Sequence, residues 1–174
     1  MEFDELLAKA LSVLNERRLS NLATAGTVAA AFLTDKGNVY TGVCIDVPAG
    51  MGFCAEHSAA AAMVTAGESK IVKMVATGID DNGRGCAPCG RCREFINCLH
   101  EDNHLCQVLL EDGSVTTIGD LLPYRLWKQF DLCFTPRWDK ITRVLCWHKR
   151  FGRTIKMCVL NSLSVFGRWY NGKK

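Results

Sequence analysis

Two short segments concentrate the side chains that could do chemistry: Cys54-Ala55-Glu56, and Pro88-Cys89-Gly90-Arg91-Cys92 some thirty residues later. A Cys-x-x-Cys at the start of a helix brings two thiolates close enough to share one metal ion, and the N–H groups of the helix start favour the negative sulfurs. A third thiolate from another helix start, Cys54, makes three protein ligands. Three ligands with a fourth position open is the arrangement of a catalytic zinc, whereas structural zinc closes with four. Glu56, two residues after Cys54, stands beside the open position without binding the metal. Cys86 is three residues from Cys89. It is therefore open whether Cys86 replaces one of the three, or joins them as the fourth ligand of a purely structural site.

The elements that must position these residues can be read from the pattern around them. Cys54 to Ala66 is rich in Ala, lacks Gly and Pro, and is followed by Gly67, which predicts a helix buried on nearly every face. Cys89 to His100 has helical spacing, with Phe95, Ile96 and Leu99 on one side. Upstream, Asp4 to Arg17 reads as an amphipathic helix with Asp4 as N-cap and Glu5 in the first turn. Val28 to Thr34 and Asn38 to Ile45 read as a hairpin around Asp35-Lys36-Gly37, followed by a loop from Asp46 to Phe53. Further strands are expected at Ile71 to Thr77, Cys106 to Leu110 and 115 to 118, with a loop from Gly78 to Pro88 and a small helix around Asp120 to Leu122. Strands interspersed with helices in this order predict an α/β class fold, a sandwich around a mixed central sheet.

Order and spacing give these segments a further meaning. Cys54-Ala55-Glu56 followed by Pro88-Cys89-Gly90-Arg91-Cys92-Arg93-Glu94 resembles the zinc-dependent cytidine deaminase family, whose signature joins a His or Cys, a Glu two residues on, and Pro-Cys-x-x-Cys. Tyr40-Thr41-Gly42-Val43 and Asp120-Leu121-Leu122-Pro123 fall in the same order, and the resemblance, over about residues 5 to 127, is nearest to the blasticidin S deaminase branch. It implies a three-layer α/β/α sandwich and a hydrolase that converts the cytosine ring of a free nucleoside to the uracil form with loss of ammonia. The implied cofactor is Zn2+ on Cys54, Cys89 and Cys92, with Glu56 as the proton shuttle. It further implies Asp46, Cys44 and the backbone at Ala55 as substrate contacts, Arg91 and also Arg93 as donors offsetting the thiolate charge, Tyr124 and Trp127 closing the pocket, and a homotetramer. The chain departs from the family at Cys44-Ile45-Asp46, where relatives read Asn-x-Glu, and at His57, where many have Arg.

The chain has 174 residues, 48% hydrophobic and 22% charged, an ordinary globular composition. The longest weakly polar stretch, Leu22 to Leu33, is far shorter than the about 20 apolar residues of a membrane helix. The acidic start Met1-Glu2-Phe3-Asp4-Glu5 lacks the basic, apolar pattern of an export signal, so a cytoplasmic protein with its ten cysteines reduced is expected. The net charge of +3 hides a split: residues 1–136 carry 11 Lys and Arg against 17 Asp and Glu, whereas residues 137–174 carry 10 against Asp139 alone. The expected organisation is a catalytic domain over 1–136 and a basic, Trp-containing extension over 137–174. Two other functions stay open: a structural-zinc or binding protein without turnover, and a polynucleotide cytosine deaminase that uses the basic extension.

Overall fold

A computed structural model of the chain describes residues 1–126. The extension over 137–174 and Trp127 lie outside the described residues. A sheet runs through the centre, with helices on both faces. The chain opens with α1 (Phe3–Val13), then the two-residue β1 (Arg17–Arg18), β2 (Thr24–Thr34), β3 (Val39–Asp46), α2 (Ala55–Thr65) and β4 (Ile71–Gly78). It continues with α3 (Gly90–Leu99), a 3-10 turn at Glu101–Leu105, β5 (Gln107–Leu109), β6 (Val115–Thr117) and α4 (Ile118–Leu121).

β2 is the axis of the sheet. It pairs antiparallel with β3 on one edge and with β4 on the other, and its first residues also pair with β1. β4 and β5 are parallel, which requires the crossover through α3, and β5 and β6 return antiparallel. The sheet is therefore mixed. Alternation along the strands serves two cores. Leu6 and Ala10 of α1 pack on Ala29, Ala31, Leu33 and Val75 from one face. Ala55, Ala59, Ala60 and Met63 of α2 and Ile96 of α3 pack on Ala30, Phe32, Cys44, Met74 and Ala76 from the other. This is the three-layer α/β/α sandwich expected of the sequence.

Several boundaries differ from the sequence reading. α1 starts one residue early and stops at Val13, because Glu2, not Asp4, is its N-cap, closed reciprocally with Glu5. Arg17 and Arg18, expected at the helix end, are instead drawn into the sheet by Thr24 and Ala25. β2 is longer than its apolar run suggests because Thr24 and Ala25, ahead of an irregularity between Ala25 and Ala29, pair with both β1 and β3. Gly26 sits in that irregularity at φ +85, where a Cβ would run into the Asn15 carbonyl. α2 buries one face only: Ala61, Ala62, Val64 and Thr65 are exposed, since nothing among the described residues covers them. α2 nevertheless lies very close to β3. A Cβ on Gly42 would collide with the backbone at Ser58 and Ala59, so only glycine lets the helix approach this far, and the Ser58 hydroxyl donates to the Val43 carbonyl at 2.6 Å.

Candidate active site

The head of α2 and the head of α3 meet beside the sheet, and each is capped by a cysteine. Cys54 is the N-cap of α2, and Cys89 the N-cap of α3, whose sulfur accepts the Cys92 N–H at 3.4 Å. The Sγ atoms of Cys54 and Cys89 stand 3.7 Å apart, and those of Cys89 and Cys92 3.4 Å. All three lie within 4.8 Å of one another and form the single cluster of metal-ligating side chains among the described residues. Sulfurs bound to one tetrahedral zinc at about 2.3 Å are separated by about 3.8 Å. Donor type, number and spacing therefore fit Zn2+ with one position to spare. Cys86 is not in the cluster; its half-buried thiol packs against the core and burial, with the charges of Asp81 and Glu56, pushes its pKa up to about 12. All seven cysteines among the described residues are free thiols.

The electrostatics around the sulfurs are uneven. Cys92 is fully buried, and desolvation together with the nearby Glu56 charge drives its pKa upward. Burial works against the Cys89 thiolate as well. There the backbone N–H of Cys92, the Cys92 and Cys54 thiols and the backbone N–H of Arg91 outweigh it and hold the pKa below the ordinary value. Glu56 is the second residue of α2 and only 4% exposed. Burial raises its pKa, partly offset by its own backbone N–H and by the Cys92 thiol, so a carboxyl poised to bind a proton faces the sulfur cluster.

The other residues singled out by the sequence fall around this centre. Ile45 and Phe53 exchange two backbone hydrogen bonds of 3.0 Å, which ties the end of β3 to the residue before Cys54. Asp46, next to Ile45, is exposed, with its Oδ2 3.4 Å from the Thr27 hydroxyl. Cys44 is buried, its sulfur 3.0 Å from the Thr27 hydroxyl and accepting the Val28 N–H at 3.3 Å. Ala55 is fully buried and packs in the core under α2. Arg91 is exposed, and its charge acts on His57, whose pKa burial and Arg91 together lower. Tyr124 is 95% exposed.

His57 and Thr27 gain roles that the sequence reading did not assign, and Arg93, expected with Arg91 to offset the thiolate charge, is engaged with backbone carbonyls. His57 Nδ1 lies 3.5 Å from Cys92 Sγ and its ring stacks on Phe95. Arg93 donates to the Pro88 carbonyl at 2.8 Å and the Leu121 carbonyl at 3.1 Å, bracing the turn that presents Cys89 against α4. Thr27 links Cys44 to Asp46. The signal for His57 was its place in the first turn of a helix whose neighbours are ligands. Thr27 carried none, because the break in β2 hides which face it takes.

No family model matches the chain. Over 99 residues it is 34% identical to a cytidine deaminase of Mycobacterium tuberculosis, covering 55% of this chain and 69% of the relative. The fold matches the crystal structure of cytidine deaminase from Mycobacterium leprae with a TM-score of 0.58 at 27% identity, over 71% of this chain and 98% of that one. It matches that of the Burkholderia pseudomallei enzyme with a TM-score of 0.57 at 27% identity, over 72% and 100%. A shared fold, together with this identity across more than two thirds of the mycobacterial relative, shows that the chain belongs to the cytidine deaminase family.

Proposed function

We propose that the chain is a zinc-dependent hydrolytic deaminase of a free cytosine nucleoside: cytidine, deoxycytidine or a blasticidin S-type nucleoside. The carrying observation is the buried Glu56 carboxyl beside three sulfurs spaced for one metal ion. Cys54, Cys89 and Cys92 would hold Zn2+, which would supply the Lewis acidity that makes water a competent nucleophile near neutral pH. Glu56 takes one proton as the water oxygen bonds to C4 of the cytosine ring and delivers it to ring N3. It then moves the second proton to the amino group; the C4–N bond breaks, ammonia leaves and C4 keeps the oxygen as a carbonyl.

Asp46 accepts a sugar hydroxyl, oriented by Thr27; the Ala55 backbone lines the base; Cys44 supports both from below. Arg91 offsets the charge of the three thiolates, and His57 stands beside the Cys92 sulfur. Residues 1–136 are the catalytic domain, and 137–174 a basic appendage to it. The apolar outer residues of α2, Ala61, Ala62 and Val64, support assembly into a homotetramer. Free thiols among the described residues support a reducing, cytoplasmic setting, and no described helix is long and apolar enough to cross a membrane.

The test is mass spectrometry of cytidine, deoxycytidine, cytosine and blasticidin S after incubation with zinc-loaded protein and with Glu56→Ala. Conversion of amino to oxo by the native chain alone supports the reading and identifies the substrate. A protein that binds one zinc per chain and converts none of the four would instead be a structural-zinc protein.

A further inference from the structure

Arg18 is a cation that the proposed reaction leaves without a task. Strand register fixes the side it takes. Arg18 stands opposite Thr24 and Thr24 opposite Asp46, so these three form one row across β1, β2 and β3. Directly paired residues share a face of a sheet. Cys44, two residues before Asp46 and on the same face, packs in the core beneath α2 and α3, with its sulfur 3.6 Å from Asp46 Oδ2. The row therefore lies on the face that carries the sulfur cluster. Arg17 is opposite Ala25, which is opposite Ile45, so it takes the other face, where its Nη1 donates to the Asn15 carbonyl at 3.1 Å.

The Arg18 guanidinium is held in place by neutral acceptors only. Its Nε donates to the Ser20 carbonyl at 3.0 Å and its Nη2 to Asn21 Oδ1 at 2.7 Å. Among the described residues it forms no ion pair. Two of its five donors are thus engaged and its charge is not neutralised. Residues 1–136 carry an excess of acidic over basic side chains, and this guanidinium stands on the face of the site with its plane fixed and its charge unpaired. Two strand spacings put the Cα atoms of Arg18 and Asp46 about 10 Å apart, a span that a sugar and one substituent bridge.

We infer that the Arg18–Thr24–Asp46 row is a recognition strip for a sugar bearing an anionic group, a phosphate or a carboxylate. Asp46 and Thr24 meet sugar hydroxyls, and the planar fork of Arg18 pairs with the anion at the far end. This deepens the proposed deaminase reading and rests on it: the substrate class becomes a cytosine nucleoside with a negative charge on the sugar side.

The experiment compares cytidine, cytidine 5′-monophosphate and a cytosine nucleoside carrying a 5′-carboxylate, by kcat/KM and by equilibrium dialysis. It uses the zinc-loaded full chain and its Arg18→Gln, Arg18→Lys and Arg17→Gln variants. The native protein is expected to prefer at least one anionic ligand over cytidine by about tenfold or more, and the preferred arm identifies phosphate or carboxylate. Arg18→Gln removes the preference, Arg18→Lys keeps part of it, and Arg17→Gln, with the same charge lost from the opposite face, keeps it whole. Conversion of cytidine without any anionic preference, or equal losses from Arg17→Gln and Arg18→Gln, overturns the strip and leaves the deaminase reading standing. Arg18-dependent binding of an anionic ligand, with no conversion of these three or of deoxycytidine, cytosine or blasticidin S, supports the strip and overturns that reading. No binding of any of the three and no conversion of any of the six overturns both.

Discussion

His57 and Cys92 are joined across the helix pair: the imidazole Nδ1 is 3.5 Å from the buried sulfur, while the ring stacks on Phe95 with centroids 4.3 Å apart. The stacking sets the plane of the ring, and in its Nδ1–H tautomer the imidazole so held donates to the sulfur. Outer hydrogen bonds of this kind are worth about 10- to 100-fold in metal affinity. His57→Ala should therefore surrender zinc to a chromophoric chelator at least about tenfold more readily than the native chain, and His57→Asn, which restores a donor, should recover part of the difference. Unchanged release from His57→Ala would show that the sulfur needs no donor.

Cys86 separates the catalytic arrangement from a four-sulfur structural one. It lies outside the cluster of Cys54, Cys89 and Cys92. Cys86→Ser is expected to keep one zinc per chain by elemental analysis, whereas Cys89→Ser loses most of it. Equal loss from both would make Cys86 a ligand.

The approach of α2 to β3 sets where Cys54 and Glu56 stand, and Gly42 permits it. A methyl group there meets the backbone of Ser58 and Ala59 and cannot be relieved by a rotamer change. Gly42→Ala should cost about 1–3 kcal/mol, read as a lower urea midpoint with an unchanged m value. A native midpoint would mean that the helix is free to move away.

Glu68 ties the sheet to the end of α2. Its carboxylate accepts the Asn38 amide at 2.6 Å and the Tyr40 hydroxyl at 2.9 Å. The Thr34 hydroxyl beside it, then Asn38 and Tyr40, hold its pKa below the ordinary 4.5 against the opposing pull of desolvation. A depressed folded-state pKa gives stability that is present above the unfolded value near 4.5 and is lost as pH falls through the lower folded value. Thermal melts should show the native chain losing Tm below that pH, and Glu68→Gln, less stable at neutral pH, lacking that part of the fall. Parallel curves would remove Glu68 as the cause.

The three-sulfur cluster was legible in the sequence because its signal is local: two cysteine-headed helices, with Cys54-Ala55-Glu56 and Cys89-x-x-Cys92 each inside one helical turn. The α/β layering followed from the order of strong apolar runs. What escaped depends on contacts between distant segments. Arg17 and Arg18 look like the end of a helix and become a strand only because Thr24 and Ala25 supply a ladder. Glu2 outcompetes Asp4 as a cap through a reciprocal bond with Glu5. His57 meets Cys92 and Phe95 only once α2 and α3 are side by side.

The most direct test of the account is the fate of cytidine in 18O-labelled water, with zinc-loaded native protein beside zinc-loaded Glu56→Gln. The account predicts uridine carrying one solvent oxygen at C4 from the native chain, and turnover lower by about a hundredfold or more in the variant although its zinc content is unchanged. Native-like turnover by zinc-loaded Glu56→Gln, or product without the solvent oxygen, would contradict it.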